Sequence, residues 1–296
     1  MDISKAKTVL IIAFLILNMF LIYQIALEEG GGNTLLFGGR EEISRLEAAL
    51  EEARLALEAP LPKGGIYLSY LIVEPWRFTP EEVIYELWRA LEKEKPLPEV
   101  DVIPADSRPG QGAVYLFGGY ELQVGEEGLI TLKSKGTGEK EGDILGDFTA
   151  EQYLQTAREF TGKVFFFHDF FYDYGEKKEK AVTLHFRQEY EEFPLFSGFL
   201  RLLVRENIPY GLFFYRLEPA GFTEHKREII PPSTALLRFM ESYAHESEKR
   251  KIVDISLGFY SKHYDAERWE IPPVWRIRLD NGEIYYINAF YGILEQ

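Results

Sequence analysis

The chain of 296 residues contains no cysteine, which excludes disulfide bonds, thiolate metal sites and thiol nucleophiles. Basic residues are also few, with 33 Lys and Arg against 48 Asp and Glu and a formal net charge of −15. Nucleic-acid binding gains much of its affinity from Lys and Arg side chains that replace counterions on the phosphates. The composition therefore argues against a nucleic-acid partner.

The common motifs of catalysis and phosphate binding are missing as well. His245-Glu246 begins the zinc-protease pattern, but position 249 is Lys where a second His is required. Phe196-Ser197-Gly198 lacks the spacing of a nucleophile elbow, and no glycine-rich stretch has the spacing of a phosphate loop. We therefore predict a non-catalytic protein and assign no catalytic, metal-binding or cofactor-binding residue and no cofactor.

Two groups of polar residues leave alternatives open. His168, Asp169 and Asp173 form an imidazole and carboxylate cluster that either binds a cation or marks a partly exposed strand end. Adjacent acids such as Glu191-Glu192 could be imagined as glycosidase carboxylates. With 48 acidic residues in the chain such pairs arise by chance, so we interpret this one as a solvated rim.

The most prominent feature that is present is an uncharged, apolar run over residues 8–27. A helix rises about 1.5 Å per residue, so this run would span roughly 30 Å, the thickness of the hydrocarbon layer. Lys5 and Lys7 precede the run and Glu28 follows it, which places residues 1–7 in the cytoplasm and the remainder outside. The alternative is a cleaved signal peptide, although no Ala-x-Ala site follows the run.

One polar residue, Asn18, lies near the middle of the predicted span. Its amide has no water there, so we expect it to bond to a second helix; the alternative is a bond to its own backbone or a local water defect. Tyr23 and Gln24 are typical of the outer membrane interface.

The rest of the chain favours an α+β fold in which antiparallel sheets are each covered by a helix. Aromatic residues make up 15% of the chain, a composition typical of sheet-rich packing. Residues 28–62 hold a Gly-rich tether and then a membrane-proximal helix over 41–59, whose single apolar seam packs against its own domain or pairs with another such helix. We predict a first α+β domain over 63–147 and a second over 148–296.

The second domain is predicted to contain two similar units, 148–220 and 231–296, each a helix followed by a strand meander. Capping boxes at Thr79 and Thr149 predict two helix starts. The aromatic run over 164–172 predicts a strand, and Asn281-Gly282 predicts a tight hairpin.

Several segments together resemble the YycI family, also called WalI. They are Asp2–Lys7, Leu17–Gln24, Leu61-Pro62, Glu192–Gly198, Pro273–Ile277 and Tyr285–Phe290. Members of this family are single-pass regulators of an essential cell-wall two-component system. The resemblance implies an extracytoplasmic α+β domain similar to YycH and to PepSY-like modules.

The resemblance also implies the partners. The anchor helix would associate with a YycH-like protein and with the sensor histidine kinase, of the YycG or WalK type, and restrain its autophosphorylation. Asn18, Phe20, Tyr23 and Gln24 match the family motif and would make these contacts within membrane lipid. Two other functions stay open: an exterior module that binds a peptide or wall fragment or inhibits a protease, and an anchored hydrolase with an unrecognised site.

Overall fold

A computed structural model describes residues 14, 40–91, 95–104, 112–125, 128–135, 149–178, 181–243, 248–262 and 266–295. None of the helices within these ranges is long and apolar enough to cross a membrane. The predicted span over 8–27 lies outside the described residues apart from Phe14, and so do the tether residues 28–39. Also outside are the flanking and contact residues Lys5, Lys7, Asn18, Phe20, Tyr23 and Gln24.

The described residues form a mixed α+β fold that consists mostly of sheet. The four helices are α1 (Arg40–Glu52), α2 (Pro80–Leu91), α3 (Ala150–Thr161) and α4 (Pro232–Ser242). The strands are β1 (Leu55–Leu57), β2 (Tyr67–Leu68), β3 (Leu71–Pro75), β4 (Asp101–Ile103), β5 (Ala113–Phe117), β6 (Tyr120–Val124), β7 (Ile130–Ser134), β8 (Phe170–Lys178), β9 (Ala181–Tyr190), β10 (Phe193–Arg205), β11 (Ile208–Tyr215), β12 (Leu217–Phe222), β13 (Arg227–Glu228), β14 (Arg250–Phe259), β15 (Trp269–Ile271), β16 (Pro273–Leu279), β17 (Ile284–Asn288) and β18 (Leu294–Glu295).

Thirteen of these strands belong to one sheet, whose main path runs β18-β17-β16-β14-β10-β11-β7-β6-β5-β4. Strands β9 and β8 extend from the other edge of β10, and β1 pairs with β14. A three-stranded sheet, β12-β3-β15, and a two-stranded sheet, β13-β2, complete the described strands. The sequence predicts antiparallel sheets, but the main sheet is mixed. Strands β1 and β10 both run parallel to β14.

The main sheet forks at β10. The start of this strand pairs with β14 through Leu195 and Phe259, whereas from Phe199 onward the same edge pairs with β11. The pairing of β10 with β9 shifts register over the same interval, between Leu195 and Phe199. Two branches of sheet therefore diverge from one long strand.

Each branch has its own hydrophobic core. In the first core, α1 and α4 cover β14, β16 and β17, with Phe239 and Trp275 fully buried. In the second core, α2, α3 and the 3-10 turn at Phe165–Phe167 cover β6, β7 and β9–β11. Strand β10 contributes to both, since Leu195 packs in the first core and Leu200 in the second.

The two cores cut across the predicted domain boundary at residue 148. Strands β5–β7, from the predicted first domain, join the same sheet and core as β9–β11 from the second. Both predicted units, 148–220 and 231–296, contain a helix followed by antiparallel strands. Division of the chain into separate domains stays a prediction.

The capping boxes were predicted correctly. The Gln152 N–H donates to Thr149 Oγ1 at 3.3 Å, and the Thr149 N–H donates to Gln152 Oε1 at 2.7 Å. Thr79 and Glu82 exchange the equivalent bonds at 3.4 and 3.2 Å. These bonds satisfy N–H groups that a helix start leaves without intrahelical partners, so α2 and α3 begin where the sequence places them.

Two predicted elements were wrong in extent. The helix over 41–59 ends at Glu52, because Arg54 adopts a positive φ of 55° and residues 55–57 pair with β14 instead. Its seam residues Leu46 and Leu50 lie in the first core, so the helix packs against its own chain. The aromatic run predicted as a strand over 164–172 begins as the 3-10 turn, and β8 starts only at Phe170.

Candidate functional site

The fork of the sheet forms a groove of about 430 Å³, which we call the fork groove. It is lined by side chains from both branches and from the segment after β14: Leu129, Phe196, Ser197, Phe199, Arg201, Tyr215, Leu217, Tyr260, Ser261, Lys262, Trp269, Ile284 and Tyr286. Along β10, Leu200 and Leu202 point into the second core, so Phe199 and Arg201 project from the face that is turned away from that core. The groove thus lies where β10 exchanges one neighbour strand for another.

Close packing at Gly198 permits the register shift that opens the groove. A Cβ atom at this position would lie 2.1 Å from Gln188 Oε1 and 2.8 Å from Gln188 Cβ. Only glycine lets β10 approach β9 this closely over the buried Gln188 side chain, which has 0% exposure. The sequence therefore needs glycine here for space, since this residue is not among the glycines with positive φ.

The buried Gln188 amide fixes the chain where β12 begins. Its Nε2 donates to the carbonyl of Leu217 at 2.8 Å, and its Oε1 accepts from the N–H of Leu217 at 3.2 Å. The same Nε2 donates to Asp169 Oδ2 at 2.9 Å. One side chain thereby satisfies both backbone groups of a residue that lines the groove.

Ser197 is a tether across the groove and not an exposed nucleophile. Its hydroxyl donates to the carbonyl of Ser261 at 2.8 Å and accepts from the Ser261 N–H at 3.0 Å. The Trp269 indole N–H donates to the Ser261 hydroxyl at 3.3 Å. This chain of bonds joins β10, the segment after β14 and β15 around the groove.

Two stacked tyrosines form one wall of the groove. The rings of Tyr260 and Tyr286 lie 3.8 Å apart between centroids and are nearly parallel at 11°. Burial raises the pKa of the Tyr286 hydroxyl well above its ordinary value, and burial followed by the nearby Glu295 carboxylate raises the pKa of Tyr260. Both hydroxyls therefore stay protonated at neutral pH.

A network of charges centred on the buried Arg276 lies next to this wall, since Arg276 pairs across the strands with Tyr286. Arg276 Nη2 donates to Asp173 Oδ1 at 2.8 Å and to Asp254 Oδ2 at 2.9 Å, while its Nη1 also pairs with Asp173. Arg187 Nη1 reaches the same Asp173 carboxylate at 3.1 Å. The Arg276 guanidinium carbon lies 4.5 Å from the ring centroid of Phe196, a groove residue.

The protonation states follow from this pairing. Burial opposes the charge on Asp173, but hydrogen bonds and attraction from Arg276 and Arg187 outweigh it and lower the pKa of the carboxyl. Burial likewise opposes the charge on Arg276, and Asp173 outweighs that effect, so the pKa of Arg276 is raised. The network is held as paired ions under ordinary conditions.

Arginine side chains bind both carboxylates of the candidate cation cluster. Asp169 pairs with the buried Arg216, and Asp173 pairs with Arg276 and Arg187. His168 is exposed, and its Nδ1 lies 2.9 Å from the carbonyl of Phe165. Within the described ranges no group of three or more His, Asp or Glu side chains could hold a metal ion.

The acidic pair Glu191-Glu192 lies in the turn between β9 and β10. Both residues have positive φ, 47° and 71°, so they form the tight hairpin turn itself. Glu191 and Glu192 are both exposed, which agrees with the interpretation that this acidic pair is a solvent-exposed surface feature.

The sequence profile of the family described as YycI protein matches residues 126–290, which is more than half of the chain. The chain belongs to the YycI family. No match was found among curated proteins.

Two solved structures are similar to this YycI-family chain. An uncharacterized protein from Eubacterium rectale ATCC 33656 has 11% sequence identity and a TM-score of 0.50, with 86% of this chain and 98% of that chain covered. The Bacillus megaterium YpeB C-terminal domain has 12% identity and a TM-score of 0.42, with 75% and 97% covered. At 11% identity, the similarity to the Eubacterium rectale protein shows a shared fold and nothing about function.

All residues that line the fork groove fall within the segment that matches the YycI family. The segment Glu192–Gly198, on which the resemblance partly rests, supplies the bulge of β10 and the groove residues Phe196 and Ser197. Sequence reasoning missed the groove because its walls meet only through pairings between distant strands. The one local signal was the glycine of this segment inside an apolar strand pattern.

Proposed function

We propose that this YycI-family chain is a membrane-anchored regulator of a two-component system of the YycFG type. The observation that carries the proposal is the family match over residues 126–290. The uncharged run over 8–27, with Lys5 and Lys7 before it, supports a single membrane crossing. In this arrangement the N-terminus is cytoplasmic, and the described sheet domain is extracytoplasmic.

We further propose that the anchor helix contacts the sensor histidine kinase and a YycH-like protein. The contact residues are Asn18, Phe20, Tyr23 and Gln24, of which Asn18 would bond across helices where no water competes. The chain acts in this proposal as a non-catalytic partner that modulates kinase autophosphorylation.

The described domain offers a route from the anchor to the sheet. Helix α1 begins at Arg40, directly after the tether, and packs in the first core against α4. Strand β1 then joins β14, whose partner strand β10 lines the fork groove. Tension transmitted along the tether would therefore reach the same branch of sheet that forms one side of the groove.

The anchor is tested by replacing residues 8–27 with an unrelated apolar helix and measuring kinase autophosphorylation in reconstituted membranes. We expect the helix replacement to abolish regulation of the kinase. Asn18→Leu should abolish it as well, whereas the matched control Phe14→Leu should leave it unchanged. Unchanged regulation in the helix replacement would refute the proposed contact.

The absence of native cysteine makes the orientation simple to test. Single cysteines at Lys5 and at the exposed Glu47 would be treated in intact cells with a maleimide that cannot cross the membrane. We expect labelling at position 47 and protection at position 5 until the cells are lysed. The reverse pattern, or release of the labelled chain into the medium, would overturn the proposed location.

A second function, an extracytoplasmic module that binds a peptide or wall fragment, is favoured by one observation. The fork groove of about 430 Å³ lies within the range typical of small-ligand sites.

A further inference from the structure

The fork groove carries positive charge in a strongly acidic protein. Its charged lining residues are Arg201 and Lys262, and none of its thirteen lining residues is Asp or Glu. Both side chains are exposed, and in the described part of the chain neither forms an ion pair with a carboxylate. In a chain of net charge −15, a groove with only cationic side chains selects for an anion.

The walls of the groove are aromatic and apolar. Tyr260 and Tyr286 present a stacked pair, and Phe199 and Tyr215 face each other at 6.5 Å between ring centroids. The Arg201 guanidinium carbon lies 5.0 Å from the Phe199 ring centroid, so a cation sits directly beside an apolar wall. This juxtaposition fits a ligand whose charge and flat apolar part are close together.

The two serine hydroxyls of the groove are already engaged. The Ser197 hydroxyl both donates to and accepts from the backbone of Ser261, and the Ser261 hydroxyl donates to the carbonyl of Lys262. Recognition of charge is therefore assigned to Arg201 and Lys262, which can form charge-assisted hydrogen bonds with a carboxylate.

We infer that the fork groove binds a carboxylate that carries an adjacent aromatic or branched apolar group. A free aromatic acid and the C-terminal residue of a short peptide both have this chemistry. The inference deepens the second function above and rests on the geometry of the groove alone. Failure of the anchor experiments would leave it standing, and its own failure would leave the anchor proposal standing.

The test is calorimetric titration of the full-length chain in lipid nanodiscs, with empty nanodiscs as the blank. The probes are N-acetylphenylalanine and its uncharged amide, followed by Ala-Ala-Phe with a free or an amidated C-terminus. We expect the carboxylates to bind at least about tenfold more tightly than the matched amides. Tighter binding of the tripeptide than of the single residue indicates a peptide terminus, and the opposite order indicates a free acid.

Variants assign the binding to the groove. Arg201→Gln and Lys262→Gln should each weaken carboxylate binding severalfold, whereas Arg158→Gln on the exposed surface of α3 should leave it unchanged. Because both groove side chains are exposed, circular dichroism should show that these variants keep the wild-type fold. The inference is overturned if no probe binds, if amide and carboxylate bind equally, or if both groove variants bind like the wild type.

Discussion

Gly198→Ala should strongly destabilise the protein, although it adds only one methyl group. The added Cβ would lie 2.1 Å from Gln188 Oε1, and Gln188 is completely buried. The glutamine must therefore move, with loss of its bonds of 2.8 and 3.2 Å to Leu217 and of 2.9 Å to Asp169.

The magnitude follows from these contacts. Overpacking in a rigid interior costs about 1–3 kcal/mol. Each buried polar group left without its partner costs about 1–3 kcal/mol more. Alanine gains roughly 0.4–1 kcal/mol through reduced entropy of the unfolded chain. We expect a net loss of about 3–5 kcal/mol in the free energy of unfolding.

The assay is urea unfolding followed by tryptophan fluorescence, with Gly64→Ala as the matched control. A Cβ at Gly64 would meet its nearest neighbour, Pro231 Cβ, at an ordinary 3.5 Å, so this variant should lie within about 1 kcal/mol of the wild type. In the double variant Gly198→Ala/Gln188→Ala the 2.1 Å contact with Oε1 is absent and only the Cβ contact at 2.8 Å remains, so Gly198→Ala should cost clearly less in the Gln188→Ala background than in the wild type. If Gly198→Ala is no less stable than Gly64→Ala, the reasoning about the bulge is refuted.

Three further predictions concern groups outside the groove lining. Burial lowers the pKa of His185 to about 4, below its usual value near 6.5. Between pH 7 and pH 5 this histidine therefore takes up a proton in the unfolded chain but not in the folded one, which should cost about 1–2 kcal/mol of stability. His185→Gln should remove this part of the pH dependence. Asp173→Asn should cost about 3–5 kcal/mol, because it leaves the buried Arg276 charge without its main partner. In the wild type the lowered pKa of Asp173 contributes stability that is complete above its unfolded value, about 3.9, and is lost as the pH falls further. Thr149→Ala should cost about 1 kcal/mol through loss of the cap of α3.

Urea midpoints across pH and for each variant measure all three effects. An unchanged slope between pH 7 and 5 in His185→Gln would contradict the first prediction. A loss below about 1 kcal/mol in Asp173→Asn would show that the Arg276 network contributes little. Thr149→Ser, which keeps the hydroxyl, serves as the control for the cap.

The sequence predicts well those elements that local chemistry determines. The capping boxes at Thr79 and Thr149 mark helix starts, because the bonds that satisfy the first N–H groups lie within four residues. The predicted hairpin at Asn281-Gly282 forms between β16 and β17, where Gly282 has a φ of 89°.

Elements that depend on distant partners could not be predicted from the sequence. The seam over 41–59 keeps a helical spacing, but residues 55–57 become strand because β14 offers a parallel edge almost 200 residues later. The fork groove arises in the same way, since Phe196 and Tyr286 meet only after β10, β14, β16 and β17 have paired. The spacing of apolar residues within a short segment does not show which distant strand that segment will pair with.

The attachment of β1 has a mechanical consequence. The parallel pairing of Leu55–Leu57 with β14 is continued by the N–H groups of Glu58 and Ala59, which both donate to the carbonyl of Ile252. A pull directed along β1 would load these hydrogen bonds in shear, so that several must break together and not one after another. Tension that reaches β1 from the N-terminal side would therefore be borne by the main sheet before β1 could peel away from it.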